Sequence, residues 1–178
     1  MKKPFYLLQS IFILVTSILL IETNSVNAAE KVVFRYKIFS RTLPVKELTK
    51  LSETGEVSPN LDYYLKRTKQ DPEAVRNVLN KEVNVSTVTL DRTLNSKIGG
   101  FLLDRISQTV HTSSNEANRK ALRSAIVLSS SEDNKVSLIE IIQNYPTKEV
   151  HVEGDNLGKT YNQLSILTEG LQGWLGIL

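Results

Sequence analysis

Residues 58–79 read SPNLDYYLKRTKQDPEAVRNVL, and within them the same helix-start signal occurs twice. Ser58-Pro59 and Asp71-Pro72 each set a capping side chain before a proline at the first helical position. There the missing proline N–H costs nothing, and the side-chain oxygen accepts from a backbone N–H left free by the helix start. The first start predicts a helix with Leu61, Tyr64 and Leu65 facing inward, and the second a helix with Val75, Val78 and Leu79 inward. Two short capped helices in 22 residues, joined by a few polar residues, are the mark of a helical domain.

Toward the amino terminus, Val32, Phe34, Tyr36 and Ile38 alternate with Val33, Arg35 and Lys37, which is a strand period. The pattern continues to Leu43 with a possible hairpin turn near Lys37. Pro44 then opens a helix with a Val45, Leu48, Leu51 stripe, and Gly55 stands where a left-handed cap belongs. Toward the carboxyl terminus, Ser86 is positioned to cap a short helix around Val88 to Leu94. The β-branched run Val83, Val85, Thr87, Val88, Thr89 suits a strand equally. Ser96 or Asn95 caps a fifth helix expected to run through Val110, on the spacing of Ile98, Leu102, Ile106 and Val110 with Phe101 beside them. Gly99-Gly100 weakens its start. A sixth helix carries Ala117, Ala121, Leu122, Ala125, Ile126 and Leu128, and ends in the polar run Ser129 to Asn134. Ser137 caps a seventh, Leu138 to Asn144, stopped by Pro146.

Glu149-Val150-His151-Val152-Glu153 alternates as a short strand that cannot stand alone. Val150 and Val152 are therefore expected to pair with the amino-terminal strand and close a small sheet across the chain ends. A last helix is expected from Asn156 towards Thr168, followed by an apolar tail. The fold class predicted is mainly α. It is a single compact domain of six to eight short helices with a small sheet, built from the amino-terminal strand or hairpin and a short carboxyl-terminal strand. No solenoid repeat and no low-complexity linker divides it.

The chain has 178 residues, 22 Lys+Arg against 19 Asp+Glu, and no Cys. Without Cys there is no disulfide framework, thiolate nucleophile or Cys-ligated metal. A formal charge of +3 is too mild to mark a nucleic-acid partner, and the basic helix faces lack interleaved aromatics. Lys2 and Lys3, an apolar run from Phe5 to Ile21, and Val26-Asn27-Ala28 together read as an export signal cut after Ala28. The apolar run is at the lower edge of what a bilayer needs, so an uncleaved anchor is the other reading, and the membrane contact expected is limited to that segment. The organisation expected is a signal peptide over 1–28, a helical domain over 29–168 and a tail over 169–178, in an exported protein of the periplasm or the extracellular space.

The chemical motifs are mostly absent. No Ser has the G-x-S-x-G setting of a nucleophile elbow. His111 and His151 are the two histidines, neither with a nearby His or Cys partner, so no metal motif is present. His111 is read as favouring a helix C-terminus. His151, opposite in phase to Val150 and Val152, is read as a solvent-side strand residue. Gly99-Gly100 is not a phosphate loop. No catalytic, cofactor-binding or metal residue is assigned and no cofactor is expected. Trp174, Leu175, Ile177 and Leu178 are the candidate partner-binding residues, with packing on the core as the other reading.

The order of segments resembles a domain of unknown function found in exported proteins of cyanobacteria. The matching phrases are Ala28-Ala29-Glu30 leading into Val32-Val33-Phe34-Arg35-Tyr36, then Glu53-Thr54-Gly55-Glu56-Val57-Ser58-Pro59. Phe101-Leu102-Leu103-Asp104, Ala121-Leu122-Arg123-Ser124-Ala125 and Ile142-Gln143-Asn144-Tyr145-Pro146 follow. The resemblance implies a domain that occurs alone or ahead of an α/β-hydrolase domain similar to lipases and acetylhydrolases. This chain is expected to stop short of such a domain, so no catalytic Ser, Asp or His carries over. The function expected is a noncatalytic exported helical module that binds a partner or an apolar ligand. The expected partner is an α/β-hydrolase or another envelope protein. The alternatives are a hydrolase with an unrecognised site, using Ser129 or Ser130 near a histidine, and an envelope structural or membrane-surface protein.

Overall fold

The computed structural model describes residues 28–156. Residues 1–27 of the expected signal peptide (1–28), the helix expected beyond Asn156, and the tail with Trp174, Leu175, Ile177 and Leu178 lie outside the described residues.

The chain enters as β1 (Lys31–Tyr36), turns at Lys37-Ile38 and returns as β2 (Phe39–Pro44). Lys37 takes φ +54° in that turn and Ile38 stands exposed at its tip. Three helices follow: α1 (Val45–Thr54), α2 (Pro59–Thr68) and α3 (Pro72–Asn80). The second and third start behind Ser58 and Asp71 as expected and the first ends at Gly55 as expected, while Pro44 closes β2 and caps the first helix instead of lying in its first turn. Ser58 Oγ accepts from the Leu61 N–H at 3.1 Å and Asp71 Oδ2 from the Ala74 N–H at 3.0 Å. Gly55, at φ +76°, returns its N–H to the Leu51 carbonyl.

The β-branched run that suited either state splits between both. Val83–Asn84 forms β3, and α4 (Thr87–Leu94) begins behind Ser86. The Ser86 side chain makes no cap bond, and Asn134 takes over, its Oδ1 accepting from the Thr87 N–H at 3.1 Å. β3 pairs antiparallel with β5 (Lys135–Val136), a two-stranded piece that the sequence reading did not foresee.

The fifth helix requires a correction. α5 (Lys97–Ile106) starts behind Ser96 as expected but ends before Val110, which forms β4 with His111. An i, i+4, i+8, i+12 stripe drifts by about 40° per step on a 3.6-residue helix, so Ile98 and Val110 never shared a face. Gly99, Leu103 and Ile106 are the buried face, while Ile98 and Phe101 are exposed. Val110 is taken by the sheet, opposite Val152.

α6 (Asn118–Ser129) buries Ala121, Leu122, Ala125 and Ile126. α7 (Leu138–Gln143) has a full capping box, Ser137 accepting from the Glu140 N–H while the Glu140 carboxylate accepts from the Ser137 N–H. β6 (Glu149–Glu153) and one 3-10 turn (Gly154–Asn156) close the described chain.

The main sheet has the order β2-β1-β6-β4. β1 and β6 run parallel, with Val32 opposite Val150 and Phe34 opposite Val152, which is the pairing expected from the alternation. A parallel pair needs a long crossover, and here the crossover is the helical domain itself. Val32, Leu43, Val110, Val150 and Val152 are all at most 2% exposed and face the helices. Burying each such aliphatic side chain contributes on the order of 1.5–3 kcal/mol. The architecture is mainly α, with seven α-helices and this small sheet among the described residues. Among those residues, no helix is long and apolar enough to cross a membrane.

Candidate functional site: an apolar cavity and a buried histidine pair

Between the core face of the hairpin and helices α1–α3 the packing leaves an apolar cavity of about 140 Å³. Strand alternation brings Phe34 and Tyr36 to it from β1, and the two capped helices supply Tyr64 and Leu65 from α2 and Val75 and Val78 from α3. Gly154 forms part of the wall. A Cβ there would lie 3.0 Å from the Arg35 carbonyl oxygen and 3.2 Å from the Tyr36 ring, so glycine lets the 3-10 turn sit against β1. The expected inward face of α3 is thus divided. Leu79 is in the core, Val75 is half-buried, and Val78 is 45% exposed where it lines the cavity.

Tyr64 is one of the two tyrosines that line this cavity. Its ring meets Phe34 edge-on, centroids 6.1 Å apart, and the residue is 6% exposed. Its hydroxyl is fully buried with no hydrogen-bond partner. Burial pushes the phenol up to about 12, with contributions from Asp155 and Tyr36, so it is a neutral O–H donor at any physiological pH. Thr68 and Gln70 also line the cavity, but Thr68 Oγ1 donates to the Tyr64 carbonyl at 2.9 Å and Gln70 Nε2 to the Thr68 carbonyl at 3.2 Å.

The second cluster lies on the other face of the sheet. Antiparallel register sets His111 opposite His151, their ring centroids 5.3 Å apart. Both are buried, at 8% and 9% exposure, which corrects two readings. His151 does point away from Val150 and Val152, but β4 lies beside it and it is not a solvent residue. His111 belongs to β4, two residues past the turn that ends α5, rather than to a helix C-terminus. His111 Nδ1–H donates to the Thr112 carbonyl at 2.9 Å, which leaves Nε2 facing Glu153 Oε1 at 3.3 Å. Arg35 holds the same carboxylate oxygen at 3.0 Å. Neither ring nitrogen of His151 has a partner. Burial, the neighbouring His111 and Arg35 lower its affinity for a proton, so His151 is held neutral.

An imidazole pair beside a carboxylate has the parts of a general base, but the two serines considered as nucleophiles are bonded elsewhere. Ser129 Oγ donates to the Ala125 carbonyl at 2.8 Å and Ser130 Oγ to the Val127 carbonyl at 2.8 Å. Both serines serve as helix-end bonds, as their position after Ala125-Ile126-Val127-Leu128 implied. Among the described residues no three His, Asp or Glu side chains are grouped to hold a metal ion. A broad polar cleft of about 970 Å³ opens next to His111, lined also by Arg35, Arg119, Lys120 and Arg123. The Arg119 guanidinium is committed to Asp104, and that bond holds the Asp104 carboxyl below the usual range.

The cavity residues were not legible as a site. Leu61, Tyr64 and Leu65 announced a buried helix face, and nothing in a linear pattern distinguishes a filled core from one with a gap. The one sequence signal is a tyrosine at a core position, because a phenol buried there needs a partner for its hydroxyl.

Comparison with curated proteins and with solved structures found no match. A family described as "Alpha/beta hydrolase of unknown function (DUF1400)" matches residues 28–153. That span holds both sheets and all seven described helices, and the chain belongs to this family.

Proposed function

We propose that residues 28–156 form a noncatalytic ligand-binding module that accompanies an α/β-hydrolase and takes small apolar groups into the cavity between the hairpin and α1–α3. The observation that carries this reading is the cavity itself, apolar on nearly every side and walled by Phe34, Tyr64, Val75 and Val78. Val78 on its wall is 45% exposed, so the cavity is reachable from solvent. The family description supplies the hydrolase association. In this reading residues 1–28 direct export to the periplasm or beyond, and the tail with Trp174, Leu175, Ile177 and Leu178 meets the partner hydrolase or another envelope protein.

The test is methyl-labelled NMR of the chain titrated with toluene, beside an esterase assay with p-nitrophenyl butyrate. Shifts confined to the methyl groups of Leu48, Leu65, Val75, Val78 and Leu79, with no turnover above buffer, support the module. No shift at saturating toluene refutes it. Turnover abolished by His111→Ala or His151→Ala would establish the second reading, a hydrolase. The buried imidazole pair beside Glu153 is the one observation that favours that reading.

A further inference from the structure

We infer that the polar cleft beside His111 is a binding site for a phosphomonoester, separate from the apolar cavity and on the opposite face of the sheet. Strand alternation sends Arg35 to the cleft while Phe34 and Tyr36 line the cavity. α6 contributes Arg119, Lys120 and Arg123. Four cations from two distant parts of the chain thus meet around one opening of about 970 Å³. Glu153 holds Arg35 at 3.0 Å, and Asp104 holds the Arg119 guanidinium in a two-pronged bond. Lys120 and Arg123 have no carboxylate within ion-pair reach among the described residues. Arg123 is the more telling of the two. It is half-buried, and its Nε–H donates at 3.1 Å to the Leu94 carbonyl at the end of α4. That bond fixes the guanidinium and leaves its two Nη groups for the cleft. A partly desolvated guanidinium without a counter-charge has lost hydration that no described carboxylate returns, and an oxyanion in the cleft would return it.

The class of anion follows from spacing and charge. Lys120 and Arg123 stand one turn apart on α6, so both can reach the oxygens of one small group. A phosphomonoester brings about 1.5–2 negative charges at pH 7 and three acceptor oxygens, enough for the Arg123 fork and the Lys120 ammonium together. Glu116 also lines the cleft, and its charge opposes any anion. With Arg35 and Arg119 already paired, the net charge left to a ligand is about one, so a dianion feels about twice the pull of a carboxylate. The opening is far larger than a phosphate group, and Ser107, Gln108 and Asn115 make the rest of its wall polar. The phosphate is therefore one end of a hydrophilic molecule.

The probes are glycerol phosphate and acetate, titrated into the chain at pH 7 and constant ionic strength with amide NMR as the readout. Glycerol phosphate is expected to bind more tightly than acetate and to shift the amides of α6. Lys120→Gln should weaken it about three- to fivefold, the worth of one exposed ion pair, and Arg123→Gln about tenfold. Glu116→Gln should tighten it about three- to fivefold, and Lys46→Gln, outside the cleft, should change nothing. Arg123→Gln also gives up the Leu94 bond, whereas Lys120 and Glu116 are exposed, so those two variants keep the test independent of folding. Cosedimentation with phosphatidate vesicles separates two sources of the same group: capture that glycerol phosphate competes away assigns a lipid headgroup, and its absence a soluble ester. Acetate binding as tightly as glycerol phosphate refutes the dianion argument. Equal affinities in the native, Lys120→Gln and Glu116→Gln chains, or no shift with glycerol phosphate, refute the site. Either result leaves the cavity reading intact, because toluene reports on other residues.

Discussion

Gly99 and Gly100 are adjacent in α5, and the same substitution at the two positions should have opposite effects. A Cβ at Gly99 would lie 2.0 Å from the Thr93 carbonyl oxygen and 2.5 Å from Leu94 Cα. Both atoms are backbone, at the end of α4, so no rotamer change relieves the clash and the two helices must part by roughly an ångström. Overpacking of this kind costs about 1–3 kcal/mol. The Ser96 Oγ bond to the Gly99 N–H, at 3.1 Å, is strained with it, and losing such a cap costs about 1 kcal/mol more. The better helix propensity of alanine returns about 0.5–1 kcal/mol, which leaves Gly99→Ala about 1–3.5 kcal/mol less stable. At Gly100 a Cβ meets only the Arg119 guanidinium at 3.6 Å, an ordinary contact with the end of a flexible side chain. Only the propensity term survives there, and Gly100→Ala should gain about 0.5–1 kcal/mol. Urea denaturation followed by far-UV circular dichroism reads both. Unchanged slopes with the Gly99→Ala midpoint about 1–2 M lower and the Gly100→Ala midpoint slightly higher are expected. If the two variants fall within about 0.5 kcal/mol of each other, the close seating of α5 on α4 is wrong.

Three further outcomes are expected. Ser137→Ala removes one half of the α7 capping box and should cost about 0.5–2 kcal/mol in the same urea experiment, and no loss would mean that the cap is idle. Tyr145 is fully buried and its hydroxyl has no partner, so Tyr145→Phe should be neutral or stabilising by about 1 kcal/mol, and a clear loss would reveal a bridging water. His151 binds a proton less readily when folded than when unfolded, so the unfolded chain takes up more protons as pH falls from the ordinary imidazole range. Stability present above about pH 6.5 is then lost below it. His151→Phe should flatten the fall in melting temperature between pH 7 and pH 5, despite Arg35, His111, Glu149 and Glu153 still facing the position, and an unchanged slope would place the acid sensitivity elsewhere.

The parts of this fold that the sequence made legible are those whose physics is local. Ser58-Pro59, Asp71-Pro72, Ser137 and Gly55 each define a helix end within four residues, and all four act as expected. The β1–β6 pairing lies more than a hundred residues apart in the chain, yet it was legible, because two alternating segments at the chain ends had no other partner. β4 was not legible. Two residues have no period, and Val110 fitted a helical spacing until the sheet claimed it. The β3–β5 pair failed for the same reason. The histidine cluster failed through β4: without that strand His151 has an open side, and with it the two rings are neighbours. The cavity is the least legible feature, because a gap is a property of how three helices and a hairpin meet and leaves no mark on any one of them.

These limits bear on what the family's description can mean for this domain. An α/β-hydrolase nucleophile sits where a strand of a parallel sheet turns sharply into a helix. Among the described residues the one parallel pair is β1 with β6. β1 leads into a hairpin and β6 into the 3-10 turn at Gly154, so neither strand presents a residue at such an elbow. The imidazoles lie on one face of the sheet, Glu153 is shared between His111 and Arg35, and the helix-end serines are bonded to their own helix. On the opposite face β1 presents Phe34 and Tyr36 to an apolar gap. Catalysis on the first face would need a hydroxyl or water delivered to a base, whereas binding on the second needs only a ligand of the right size. The smaller requirement is the one the described residues already meet, and the proposal that this domain binds a ligand rests on it.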